Sequence, residues 1–151
     1  MAAYCERPNE LRVLLMNITI SYATLDDLSY LEQDSKVKTE MMKKKILNKE
    51  FIIAKGNNTA IGWLRFGYFW DTIPFINHIL IEKEYRRQGI ATQLVRFWQE
   101  EMKKNGFTLV MTSTQADEDA QHFYRKLGYH DMGSLFELND GPAEIVLSKR
   151  L

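Results

Sequence analysis

The stretch Glu84–Val95, "EYRRQGIATQLV", separates two kinds of periodicity. Upstream, "FINHILI" (75–81) is an apolar run of strand length. Downstream, Ile90, Leu94, Trp98 and Met102 recur at four-residue spacing, with Ala91 and Val95 alongside, so a helix starts near Ile90 and ends at Gly106. A helix start exposes amides with no intrahelical partner and carries a partial positive charge. Arg86 and Arg87 add full charges, Gly89 removes a side chain, and Ala91 keeps the first turn slim. Several N–H groups fan out at such a corner, which suits a pyrophosphate better than a lone carboxylate. The elbow lacks the three glycines of the dinucleotide fingerprint and the Gly-Lys-Ser/Thr ending of the triphosphate loop, which disfavours NAD and ATP. Taken by itself, Arg-Arg-Gln-Gly is also an ordinary composition for a solvated loop.

Outward from the elbow, the other elements follow the same logic. "ITISY" alternates Ile18, Ile20 and Tyr22 with polar residues, as a half-buried strand does. Thr24 and Asp27 stand as a capping box, so a helix is expected from about Leu25. Met42 and Ile46 share a face in "TEMMKKKILNKE", a second helix. "FIIAK" is a buried-type strand closed by the turn "GNN"; "AIGWLRFGYFW" is an aromatic-rich strand closed by "DTIP". Beyond the long helix, "TLVMTS" is a strand and "ADEDAQHFYRKLGY" a helix with Ala120, Phe123, Tyr124 and Leu127 on one face. Asp117, Glu118 and Asp119 suit its start and Gly128 its exit. "SLFELNDGPAEIVLSKRL" reads as two strands around a turn. The order is strand, two helices, three strands, helix, strand, helix, two strands: a mixed α/β domain over residues 16–151. "MAAYCERPNELRVLL" shows no period and no features of a secretory signal, and is read as an N-terminal extension over residues 1–15.

The totals narrow the function. Lysine plus arginine and aspartate plus glutamate each number 20, so the net charge is zero, against the basic excess a nucleic-acid binder needs. No apolar run has the length to span a membrane. Cys5 is a single thiol and cannot form an internal disulfide, which points to a reducing, cytoplasmic setting. His122 and His130 have no metal-ligand spacing to a carboxylate or to Cys5, so no metal site is expected.

Arg86-Arg87-Gln88-Gly89-Ile90-Ala91 matches the signature Arg/Gln-x-x-Gly-x-Gly/Ala, and here the chain resembles the GNAT superfamily of acyl-CoA-dependent N-acetyltransferases. A second pattern of that family, Asn-x-x-Ala-x-x-Phe-Tyr-x-x-x-Gly-Phe/Tyr, is met by "DEDAQHFYRKLGY" at Ala120, Phe123, Tyr124, Gly128 and Tyr129, with Asp117 in place of Asn. The resemblance runs in order from about Ile18 to Leu151. It implies a mostly antiparallel mixed sheet flanked by helices, with "FINHILI" and "TLVMTS" parallel and splayed at the centre. It implies acetyl-CoA as co-substrate, its pyrophosphate on the amides of Gln88 to Ala91 and its pantetheine arm paired along Ile79, Leu80 and Ile81. Phe123 and Asp117 would lie along the same cofactor. Asp117 keeps the acceptor oxygen that Asn would offer but not the NH₂ donor. A homodimer is compatible with the resemblance.

For transfer to an amine, the resemblance assigns Tyr124 as general acid to the departing thiolate; a phenol, with a pKa of about 10, is protonated at neutral pH. Tyr124 also lies on the apolar helix face, where an aromatic ring commonly packs. The run Phe75–Ile81 has no carboxylate to serve as base. Asn77 and His78 are its polar side chains and alternate to opposite faces. His78 has a suitable intrinsic pKa, or is a hydrogen-bonded core histidine; Asn77 can orient a water or amine. Asp71 and a relayed water remain open as bases. Trp63, Phe66, Tyr68, Phe69 and Trp70 put aromatic rings on both faces of one strand, for core packing on one and core or an acceptor pocket on the other. Two alternatives to a transferase of a small-molecule or peptide amine stand beside it: an acyl-CoA-binding sensor without turnover, and a small interaction module with no cofactor.

Overall fold

The structure is a computed structural model that describes residues 15–151. Of the extension expected at residues 1–15, all but Leu15 lies outside the described residues, Cys5 included. Elements occur in the expected order: β1 (Ile18–Tyr22), a 3-10 turn (Leu25–Asp27) running into α1 (Leu28–Leu31), α2 (Thr39–Leu47), β2 (Phe51–Gly56), β3 (Thr59–Phe69), β4 (Ile73–Ile81), α3 (Ile90–Lys104), β5 (Leu109–Gln115), α4 (Ala120–Lys126), β6 (His130–Leu135) and β7 (Glu144–Arg150). The seven strands form one sheet in the order β1-β2-β3-β4-β5-β7-β6. The pairing of β4 with β5 is parallel, and those of β1 with β2, β2 with β3, β5 with β7 and β6 with β7 are antiparallel. The parallel register covers Phe75↔Met111 and Ile76↔Thr112, while β4 runs on to Ile81 and β5 to Gln115. That is the splay expected at the centre of the sheet.

The chain divides into two compact units, one formed by residues up to 65 with 79–97, the other by 66–78 with 98–151. In the first, Asn57 and Asn58 both take left-handed φ (48° and 66°), a two-residue turn whose twist matches the strands β2 and β3 that it joins. Ala23, Leu31, Met42, Ile46, Phe51, Ile53 and Trp63 form its core, with Tyr30 and Leu80 packed against them. The Tyr30 ring meets Trp63 edge-on at 5.5 Å. Asp27 completes the expected capping box with Thr24, its carboxylate accepting from the Thr24 N–H at 2.9 Å. Burial would raise Asp27, but Lys55 at 2.7 Å and Thr24 outweigh it and hold the carboxyl below its usual range. The cap opens on a 3-10 turn, and α1 itself starts three residues later than the cap predicts. Asp34 and Arg65 are both buried and joined at 2.7 Å, so each neutralises a charge that water cannot reach.

In the second unit, β5 pairs with β7 from Leu109↔Arg150 to Gln115↔Glu144. Gly128, at φ +89°, lets α4 stop and turn into β6. Phe66, Trp98 and Tyr129 are fully buried, and Phe66 meets Trp98 edge-on at 5.8 Å. The α3 stripe read from the four-residue spacing is the buried one: Ile90, Leu94, Trp98 and Met102 are each at most 1 % exposed.

Candidate active site

The elbow leaves β4 through a short 3-10 turn, Lys83–Tyr85. Arg86 follows in extended conformation, and its Nε donates to the Ile81 carbonyl at 2.8 Å. That bond closes the turn back onto the strand end. Arg87 is exposed and left-handed at φ +61°, and Gly89 is left-handed at φ +80°. A β-carbon placed on Gly89 would have no atom within 4 Å, so the backbone there stands in the open. The first α3 bond runs from the Gln93 N–H to the Gly89 carbonyl at 3.0 Å. The amides of Ile90, Ala91 and Thr92 therefore precede the helix's own ladder, and they follow directly on the open glycine. Gln88 is half-buried, with its Nε2 near the Glu84 carbonyl at 3.4 Å and its Oε1 buried without a partner. Ile90 is buried and Ala91 half-buried.

Along β4, Glu82 donates its N–H to the Ile61 carbonyl of β3 at 2.9 Å. Backbone direction alternates along a strand, so Glu82 and Leu80 turn their peptide groups to β3, and Ile79 and Ile81 turn theirs to the other edge. Of the Ile79, Leu80 and Ile81 backbone expected to take a pantetheine arm, the Ile81 carbonyl is held by Arg86 and Leu80 faces β3. Ile79 is the residue whose N–H and C=O address the outer edge. A β-carbon on Gly62 would lie 2.6 Å from the Leu80 carbonyl oxygen; only glycine allows β3 this close. Asn77 is exposed and His78 half-buried, on opposite faces of β4. Asp71 is exposed in the β3–β4 turn, left-handed at φ +60° beside Trp70 at +50°.

In the second unit, Tyr124 is 6 % exposed. Its ring is held edge-on by Phe123 at 5.1 Å and Tyr129 at 5.3 Å. Burial pushes its phenol up to about 12, against a hydrogen bond with the Thr112 side chain that pulls the other way. Such a phenol holds its proton through the whole physiological range, as a general acid must. The Thr112 hydroxyl also donates to the Ile76 carbonyl at 3.2 Å. Tyr129 accepts from Gln99 Nε2 at 2.9 Å, and Lys149 Nζ donates to Gln99 Oε1 at 3.2 Å. Asp117 is exposed in the turn before α4, and Phe123 is half-buried.

Two residues of this region escape a reading by motif. Thr112 leaves a trace: it follows Val110 at the period of a strand, so it falls on a face where a hydroxyl must find a partner. The bond from Arg86 to the strand end leaves none, since its partner is a carbonyl fixed by the path of the turn. On β3, both faces from Ile61 to Gly67 are buried, so Trp63 and Phe66 are core on opposite sides; Tyr68 and Trp70 emerge beyond them.

Residues 18–129 match the model of the acetyltransferase (GNAT) family. Streptothricin acetyltransferase A of Bacillus subtilis is 31% identical over 101 residues, 66% of this chain and 51% of that protein. N-alpha-acetyltransferase 30 of Schizosaccharomyces pombe is 41% identical over 56 residues, 36% of this chain and 37% of that protein. The chain thus spans about half or less of the length of these two relatives. The fold is shared with Ard1 from Thermoplasma volcanium, at a TM-score of 0.77 and 15% identity, over 89% of this chain and 97% of that one. It is shared too with the PaiA N-acetyltransferase from Thermoplasma acidophilum in complex with coenzyme A, at a TM-score of 0.71 and 19% identity, over 90% of this chain and all of that one (100%).

Proposed function

From its membership of the acetyltransferase (GNAT) family, to which this chain belongs, we propose that it is an acetyl-CoA-dependent N-acetyltransferase acting on a primary amine of a small molecule or a peptide. The observation that carries the reading is the open, left-handed Gly89 at the mouth of the 15-residue helix α3. A pyrophosphate needs several amides and no side chain in the way, and this corner offers both. The neighbour from Thermoplasma acidophilum, with its bound coenzyme A, supports the co-substrate. We read residues 16–151 as a single N-acetyltransferase domain, and the single cysteine of the sequence supports a cytoplasmic setting.

Gln88 to Ala91 would hold the pyrophosphate and Ile79 the pantetheine amide, with Arg87 adding charge at the elbow. Phe123 and Asp117 would flank the arm. The amine attacks the thioester carbonyl directly. Tyr124 gives its proton to the departing sulfur. Asn77 orients the amine or a water, and His78 is the candidate to take the proton of the amine. A net charge of zero favours a small or peptidic acceptor over a nucleic acid.

The test is CoA release from acetyl-CoA with a panel of primary amines, read by thiol titration, together with the thermal shift that acetyl-CoA produces. Turnover with at least one amine and a raised melting temperature are expected. Stabilisation with no turnover for any amine overturns the transferase reading in favour of a cofactor sensor, which the absence of a carboxylate from β4 would then explain. No thermal shift at all would leave an interaction module.

A further inference from the structure

We propose that the β3–β4 turn and the rings behind it form a remote contact for the acceptor: Phe75 and Phe69 carry a peptide away from its reacting amine, and Trp70 with Asp71 receives a lysine or arginine side chain farther along. The proposal rests on the transferase reading and names the acceptor that the reading leaves open. Every residue it uses lies in the second unit.

The starting point is strain. Consecutive left-handed residues in a hairpin turn are ordinarily Asn, Asp or Gly. Here a tryptophan takes φ +50° and the aspartate after it +60°. A bulky side chain in that region costs about 1–2 kcal/mol. Burial offsets little of it, since Trp70 is 79% exposed. A large apolar ring held at the surface against strain points to a use outside the fold.

The ring does not stand alone. Trp70 lies against Phe69, with centroids 4.8 Å apart and planes 37° apart. Phe69 in turn stacks on Phe75, at 6.1 Å and 25°. Side chains alternate along a strand, so Ile73, Phe75 and Asn77 share one face of β4. Phe69, Ile73 and Phe75 are half-buried and Asn77 is exposed. Asn77 is also the first β4 residue past Ile76↔Thr112, the last pair in register with β5. The rings therefore run from the turn to the place where β4 and β5 part.

The occupant follows from the chemistry along this strip. Trp70 offers the aromatic face that attracts a cation most strongly. Asp71 beside it is a carboxylate that no lysine or arginine pairs with among the described residues. Between the turn and Asn77 the strip carries rings and Ile73 and no charge. Ile73 to Asn77 spans about 13 Å at the rise of a strand. An extended peptide rises at the same rate. With its N-terminal amine at Asn77, it brings about its fifth residue to Trp70. A small monoamine ends short of the turn. A polyamine of that length carries charge through its middle, where the strip has no carboxylate to meet it.

The experiment uses the full chain with CoA bound and a peptide amide that carries lysine at about the fifth position, its norleucine counterpart, and spermine. Binding is read by calorimetric titration, and turnover by CoA release from acetyl-CoA. The norleucine peptide should bind roughly fivefold to tenfold more weakly than the lysine peptide, the combined effect of a cation–π contact and a surface ion pair. Its kcat/KM should fall by a similar factor. Trp70→Asn, whose side chain tolerates left-handed φ, should erase most of that preference and melt no lower than the parent. Asp71→Asn should cut it to about threefold. A Trp70 that merely packs would do the reverse, lowering the melting temperature and leaving the preference in place. Equal binding of the lysine and norleucine peptides to the parent overturns the proposal, as does a preference that survives intact in Trp70→Asn. Spermine that binds as tightly as the lysine peptide overturns the peptide as occupant. If no amine and no peptide releases CoA, the transferase reading fails on its own, and the titration still decides whether the strip receives the peptide.

Discussion

Tyr124 is asked to be two things at once: a ring that fills the core and a hydroxyl that reaches a substrate. Phenylalanine separates them, keeping the ring between Phe123 and Tyr129 and deleting the acid. Tyr124→Phe should lower kcat by about 10²-fold or more, leave the KM for acetyl-CoA nearly unchanged and shift the melting temperature by no more than a few degrees, all checked by steady-state assay and calorimetry. A purely structural Tyr124 would leave kcat intact. Asp34 poses the opposite problem, because its role is wholly internal. Truncating it strands the Arg65 guanidinium, whose side chain is 10% exposed, in the protein interior. Asp34→Ala should therefore cost about 3–5 kcal/mol in urea unfolding, and the double variant Asp34→Leu/Arg65→Met should recover most of it. Equal losses in the single and double variants would show that the volume of the pair, rather than its charge, holds the site.

The elbow between β4 and α3 shows how far a motif reads as an element. Strand, glycine and helix were all legible, since each rests on local chemistry: an apolar run, a residue free to take positive φ, a four-residue stripe. The paths of the two arginines were not. Arg86 and Arg87 carry the same charge and are both exposed, yet Arg86 is extended and bonds the Ile81 carbonyl while Arg87 takes left-handed φ. That division is set by the short 3-10 turn, whose existence no periodicity announces. Gly89 lets the two functions of the element be pulled apart. A methyl group there meets nothing in the protein but must accept φ +80°. Gly89→Ala should cost only about 1 kcal/mol of stability, yet weaken acetyl-CoA binding by roughly tenfold or more, the effect of about 1.4 kcal/mol. Calorimetric titration against a thermal melt separates the two. Unaltered affinity in a folded Gly89→Ala protein would move the phosphate site elsewhere.

For the whole molecule, the fold was legible because its elements alternate in type and the alternation is written in periods of two and near four. Seven strands and their order of appearance follow from that pattern; the place where β4 and β5 part does not. The ladder ends at Ile76↔Thr112, where the Thr112 hydroxyl donates to the Ile76 carbonyl, a side-chain bond that hydropathy cannot register. The same reasoning explains why alkaline behaviour is a property of the folded chain and not of its composition. Tyr30, Tyr124 and Tyr129 lie in different surroundings, yet burial is the leading cause of an upward shift in all three. For Tyr124 the folded phenol titrates at about 12, against about 10 in an unfolded chain. The folded state therefore binds this proton more tightly. Its contribution, roughly 2–3 kcal/mol, is complete below pH of about 10 and is lost as the pH rises through 12. Urea midpoints should accordingly hold steady from about pH 8 to 10 and fall steeply above it. Tyr124→Phe removes one titrating group, so its midpoint should fall less over the same interval, and the two curves should converge or cross at the alkaline end. Parallel curves would mean that the Tyr124 phenol is ionised as easily in the native protein as in the unfolded chain, and a side chain that gives up its proton so readily could not be the buried acid on which the transfer reaction depends.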